Sequence, residues 1–132
     1  MAATLLDTTV LIDLLRGRDG AKLRLNQLRE RGDEAWACAI NVEEVLRGLR
    51  SEEAESARNL IHGLRIAPLG LAEGWRAGVW RRDYAAAGTT LAQADCLIAA
   101  AAVGMKARLA TGNPKHFPMA ELSVEHWPVG EG

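Results

Sequence analysis

Apolar positions along this chain fall into short runs that alternate with stretches spaced by three and four residues. The runs Ala3–Leu6, Trp36–Ile40, Arg65–Leu69, 107–111 and Ser123–Trp127 have the length of strands buried within a sheet. Between them the spacing predicts helices. Val10, Leu11, Leu14 and Leu15 share a face, with Thr8 and Thr9 placed to cap the start and Gly17 to stop the end near Arg16. Asp19 is placed to cap a second helix, whose apolar face is Ala21, Leu25 and Leu28, and Gly32 ends it. Asn41 is placed to cap a third, carrying Val45, Leu46 and Leu49. Ser51 opens a fourth, with Glu52, Glu53 and Glu55 at the positive end of its dipole and Ala57, Leu60, Ile61 and Leu64 at a period of 3.6. Leu71–Ala87 reads as a helix with Trp75, Val79 and Trp80 turned inward, broken by Gly88. Ala92–Val103 is the most apolar helix and therefore central, and Pro114–Glu121 is a loop or short helix. Short strands alternating with helices predict an α/β domain around a mostly parallel sheet of about five strands.

At 132 residues there is room for one domain, taken as 1–128 with a flexible tail at 129–132. An apolar content of 48% excludes disorder, and 25% charged residues is ordinary for a soluble protein. Cys38 and Cys96 sit apart in apolar runs, as buried free thiols of a cytoplasmic protein do. The first fifteen residues lack a basic leader and are interrupted by Asp7 and Asp13, so no signal peptide is expected. The uncharged run Cys96–Met105 is too short to span a bilayer, which leaves no membrane role. A net charge of −1 does not point to nucleic acid. Six basic residues from Arg16 to Arg31 face only Asp19 and Glu30, a pattern that charge counting alone assigns to a solvated helix face.

The acids change this picture. Asp7 directly follows a buried strand, and in open parallel sheets ligands collect beyond the carboxyl ends of the strands. An aspartate there also caps helices, so position alone leaves both roles open. Asp95 enters the most apolar helix, where an unpaired charge is costly and a cation would relieve it. A helix dipole would favour it too. Glu44 stands four residues before Gly48 on one helix face, whereas its neighbour Glu43 faces elsewhere. The segment TGNPKHF, 111–117, follows another strand. Its Asn113 is suited to orient water, and Lys115 and His116 to meet phosphate, although Gly, Asn and Pro also make plain turns.

LLDTTVLIDLL, EEVLRGL, ADCLIAAAA and ATGNPKHF with VEHW, in this order and with 37, 51 and 18 residues between key positions, resemble the PIN-domain family and, more narrowly, the VapC toxins of toxin–antitoxin pairs. The resemblance spans about residues 4 to 127. It implies a single three-layer α/β/α domain and an endoribonuclease that uses Mg²⁺, with Mn²⁺ as substitute. It makes Asp7, Asp95 and Glu44 the metal-binding carboxylates, adds Asn113 to the catalytic set, and gives Thr9 and Thr111 supporting roles. Asn113 stands where many relatives carry a further aspartate, so its part would run through water. The implied partners are a structured RNA such as tRNA, a VapB-like antitoxin and a second copy of the chain.

That chemistry is coherent on physical grounds. Phosphodiester hydrolysis needs an activated water and stabilised negative charge, both of which divalent ions supply. Magnesium takes oxygen ligands and keeps several waters, so three carboxylates suffice. An acidic pocket repels phosphate, and Arg16, Arg18, Lys115 and His116 are the candidate contacts to the RNA backbone. A haloacid-dehalogenase-type phosphatase would place an acid where Thr9 stands, and a receiver domain would need paired acids near the start. The competing reading is a PIN-like module that binds RNA or protein with weak catalysis.

Overall fold

A computed structural model describes residues 2–132; Met1 lies outside them. Five strands form one parallel sheet: β1 (Ala3–Leu6), β2 (Glu34–Cys38), β3 (Arg65–Ala67), β4 (Arg108–Thr111) and β5 (Val124–His126), in the order β3-β2-β1-β4-β5. All four pairings are parallel, as short apolar strands linked by helices require. Successive residues of each strand face opposite sides, and this splits the core in two. Leu5 and Leu109 point into a layer closed by α5 (Leu71–Ala86) and α6 (Gln93–Gly104), with Trp80, Ile98 and Phe117. Leu6 and Ala110 point the other way, against Val10 and Leu11 of α1 (Thr8–Leu15), Leu25 and Leu28 of α2 (Asp19–Glu30), and Val45 of α3 (Ala39–Arg47). Helix α4 (Ala54–His62) adds Leu60 and Ile61 to that side. This is the three-layer α/β/α domain expected. Among the described residues no helix is long and apolar enough to cross a membrane.

Several local expectations move. Helix α1 begins at Thr8 with Asp7 as its N-cap residue, and neither threonine caps it, because both hydroxyls are engaged elsewhere. Arg18, not Asp19, precedes α2. Strand β2 ends at Cys38, two residues early, because Asn41 lies inside the first turn of α3. Its side-chain oxygen accepts the Cys38 N–H at 2.9 Å, the inward half of a capping box. Trp75 is 73% exposed, not inward. Helix α5 leans on its neighbours through Ala77, Trp80 and Tyr84, one stripe at spacings of three and four, and Trp75 lies off that stripe.

Residues beyond Trp127 lie along the turn between α1 and α2. The Gly130 N–H donates to the buried Asp13 carboxylate at 2.7 Å, and the Gly20 N–H to the Glu131 carbonyl at 3.0 Å. Arg24 pairs with the Glu131 side chain. A carboxylate buried on α1 needs a donor, and this segment supplies it. Asp13→Ala is therefore expected to lower stability by about 1–2 kcal/mol, read as a lower urea midpoint at unchanged slope.

Candidate active site

From β1 the chain winds outward through β2 to β3, then returns to place β4 on the other side of β1 and continues to β5. The winding direction thus reverses between β1 and β4, and the crevice beyond their carboxyl ends is where such sheets bind ligands. Residue 7 follows β1, and Thr111 ends β4, with Gly112 and Asn113 after it. Their backbones are joined by Asp7 N–H to Ala110 carbonyl at 2.9 Å.

Asp7 is 5% exposed. One carboxylate oxygen, Oδ2, accepts the Thr111 hydroxyl at 2.7 Å and the Thr9 hydroxyl at 3.3 Å. Each hydroxyl is itself fixed by a backbone donor: Thr9 accepts from Gly112 N–H and Thr111 from Asn113 N–H, both at 3.0 Å. The β4 loop therefore locks the Asp7 rotamer, and Oδ1 takes no side-chain hydrogen bond among the described residues. A Cβ at Gly112 would displace the exposed Val129 side chain and stand 3.3 Å from the Thr9 hydroxyl.

The two adjacent glutamates part company. Glu43 is exposed and forms a two-point ion pair with Arg47 at 2.8 and 2.9 Å. Glu44 is half-buried and accepts the Thr8 hydroxyl at 2.6 Å. Thr8 in turn accepts Asn41 Nδ2 at 3.1 Å, and Asn41 Oδ1 holds the Cys38 N–H. A relay thus runs from the end of β2 through Asn41 and Thr8 to Glu44. Sequence reasoning assigned Thr8 and Asn41 only capping roles. The signal available was Asn41 itself, an amide placed directly after the apolar run Trp36–Ile40.

Asp95 sits in the first turn of α6, with His116 Nδ1 3.6 Å from its Oδ2. Burial pushes its carboxyl above the ordinary range, His116 opposes this, and the charges of Asp7 and Glu44 push it further up. Asp7 and Glu44 thus lie within electrostatic reach of Asp95. Burial likewise raises the Cys38 thiol, backbone donors at Asn41 and Ile40 oppose it, and Asp7 and Glu44 add to the rise. A folded state that holds the Asp95 proton more tightly than the unfolded chain loses stability as pH rises past the ordinary carboxylate range. In metal-free buffer Asp95→Asn is therefore expected to raise the urea midpoint at neutral pH, with the gain vanishing in acid below that range.

The basic candidates divide. Lys115 and His116 lie in the single turn Pro114–His116, at the same edge as Asp95. Arg16 and Arg18 follow the far end of α1, roughly 12 Å along its axis from Asp7. Arg16 faces Glu53 at 3.8 Å. Asn113 is exposed, and its backbone N–H donates to the Thr111 hydroxyl.

Among the described residues no three acidic, histidine or cysteine side chains are gathered as a ready ligand cage. Carboxylate oxygens at one sheet edge, with one Asp7 oxygen uncommitted, suit a hard cation that retains much of its own water. The carboxylate donors fit Mg²⁺ or Mn²⁺.

Residues 4–121 match the model of the PIN-domain family. The chain is 34% identical to ribonuclease VapC10 of Mycobacterium tuberculosis, over 89% of this chain and 87% of that protein. It is 32% identical to ribonuclease VapC19 of the same organism, over 87% and 92%. Among solved structures it is similar to VapBC2 from Rickettsia felis bound to a promoter DNA fragment, with a TM-score of 0.85 at 20% identity over 95% of this chain and 98% of the other. A toxin–antitoxin complex from Klebsiella pneumoniae gives 0.75 at 26% identity, over 90% and 94%.

Proposed function

This chain belongs to the PIN-domain family as a VapC-type ribonuclease, and from that premise we propose that it is a cytoplasmic toxin that cuts RNA with a divalent cation and is restrained by a VapB-like antitoxin. The observation that carries the catalytic reading is Asp7, buried beyond the carboxyl end of β1 at the reversal point of the sheet, with one oxygen held by Thr111 and Thr9 and the other uncommitted.

Asp7 and Asp95 would hold the ion, with Glu44 as a third ligand or as the base that orients water. When bound, Mg²⁺ or Mn²⁺ supplies an activated water and stabilises charge on the phosphate. The chain's own residues set the geometry. Thr111 and Thr9 hold Asp7 in one rotamer. Thr8 fixes one oxygen of Glu44 and so directs the other. Asn113 is suited to hold a water in line with the phosphate, and His116 to balance the charge of Asp95. Lys115, Arg16 and Arg18 would hold the RNA backbone.

The solved relatives named above are toxin–antitoxin complexes. A groove of about 320 Å³ between α3 and α4, lined by Leu46, Leu49, Ile61 and Arg58, offers an antitoxin segment an apolar anchor. The exposed Leu71 and Trp75 of α5 suit the face of a homodimer. Cleavage of a structured RNA such as tRNA by the pure protein, with Mg²⁺ and then with EDTA, tests the reading. Cutting that requires the ion supports it. RNA bound but uncut with either ion, with no calorimetric metal binding, would leave the weakly catalytic binding module instead.

A further inference from the structure

A second cleft opens on the β5 side of the acidic crevice. Thr111 of β4 pairs in register with His126 of β5, so both strand ends reach the same sheet edge. The turn after β4 folds over that edge, and between turn and strand lies a cavity of about 560 Å³ lined by Gly112, Asn113, Pro114, Lys115, His116 and His126. Among the described residues no acidic side chain lines it. Glu125 and Trp127 point to the other strand face from His126, and Glu125 accepts the Trp127 indole N–H at 3.2 Å. Lys115 forms no ion pair among the described residues, unlike Arg16.

The cleft and the acid cluster share one wall. Asn113 N–H donates to Thr111, which donates to Asp7, and the His116 ring stands 3.6 Å from Asp95. A chain whose reacting phosphate lies against the three carboxylates must leave that negative field on one side or the other. On this side it meets an ammonium group, two imidazoles and the proline ring. Flat aromatic and apolar faces beside a cation are the surfaces on which single-stranded nucleic acid stacks its bases and rests its phosphates. We propose that this cleft is a nucleotide subsite next to the cleavage site, with Lys115 holding the phosphate adjacent to the scissile one and His126 stacking on the neighbouring base. This rests on the ribonuclease reading for the identity of the reaction, and adds His126, which the sequence did not single out.

The test uses the full chain, a 12-nucleotide single-stranded RNA as substrate, and the same sequence with 2′-O-methyl groups and a fluorescent label for binding. Lys115→Ala and His126→Ala are each expected to raise KM and weaken binding about tenfold, with kcat within twofold, since one stacked base or phosphate contact is worth that much. Lys115→Ala should also flatten the dependence of log Kd on log salt by roughly 0.7. His126→Phe, which keeps a flat ring and removes the imidazole nitrogens, should restore most of the affinity. If KM and Kd of both alanine variants stay within twofold of the parent, the subsite is overturned while the ribonuclease reading stands. Should the parent cut neither this RNA nor a structured one while binding still depends on Lys115 and His126, the subsite stands and the ribonuclease reading falls.

Discussion

Asp7→Asn is expected to lower kcat for RNA cleavage by at least two to three orders of magnitude, while the protein unfolds at the same urea concentration or a higher one. The loss follows from the position of the carboxylate. Asp7 is buried at the reversal point of the sheet, with one oxygen held by Thr111 and Thr9 and the other uncommitted. An amide keeps the shape and can still accept the Thr111 hydroxyl through its oxygen. It removes the negative charge that holds a cation, and electrostatic groups of this kind are worth about 10² to 10³ each in turnover. The retained stability follows from the same charge. Burial raises the Asp95 proton affinity most and Asp7 and Glu44 add to it, so removing one charge relieves repulsion that the fold otherwise carries. Steady-state cleavage with excess Mg²⁺ and urea unfolding in metal-free buffer check the two halves separately. An Asp7→Asn protein that cuts within tenfold of the parent would remove Asp7 from the catalytic set. One that unfolds several tenths of a molar earlier in urea would show that its role is structural.

The parts of this site that the sequence disclosed are those marked by contrast. Asp7 breaks an apolar strand and Asp95 enters an apolar helix, and both contrasts survive in one dimension because burial is written into neighbouring residues. The choice of Glu44 over Glu43 came from Gly48 and from the family resemblance. In the structure a different physical cause separates them: Arg47 lies four residues after Glu43 and takes it to the surface, whereas Thr8 draws Glu44 into the crevice. Thr8 and Glu44 are 36 residues apart, and nothing local announces that they meet. The sheet order, likewise, sets β4 beside β1 across most of the chain. Helix starts moved by one to three residues where a side chain expected to cap a helix was recruited to the site. Trp75 failed for a different reason. A large aromatic on a helix is read as core by default, but α5 has one inward stripe, and Ala77 and Trp80 already occupy it.

Asn41→Ala is expected to destabilise the domain by about 2–4 kcal/mol, a large share of the 5–15 kcal/mol typical of a domain this size. Asn41 is fully buried, and both ends of its amide are used. Truncation strands the Cys38 N–H at the start of α3 and leaves a void beside Val45. Each buried group left without a partner costs about 1–3 kcal/mol. The effect should extend to catalysis, because the Thr8 hydroxyl loses the donor that orients it toward Glu44. At temperatures where the variant is folded, kcat is expected to fall about tenfold with little change in KM, the pattern of a group that acts through positioning. Thr8→Val separates the two consequences. It cuts the relay next to Glu44 but leaves Asn41 holding the Cys38 N–H, so it should reproduce most of the kcat loss at a much smaller cost in stability. If Asn41→Ala unfolds at the parent's urea midpoint, the buried amide does not hold α3 to β2. If Thr8→Val keeps full kcat, Glu44 is oriented by something other than this relay, and its place in the site rests on sequence alone.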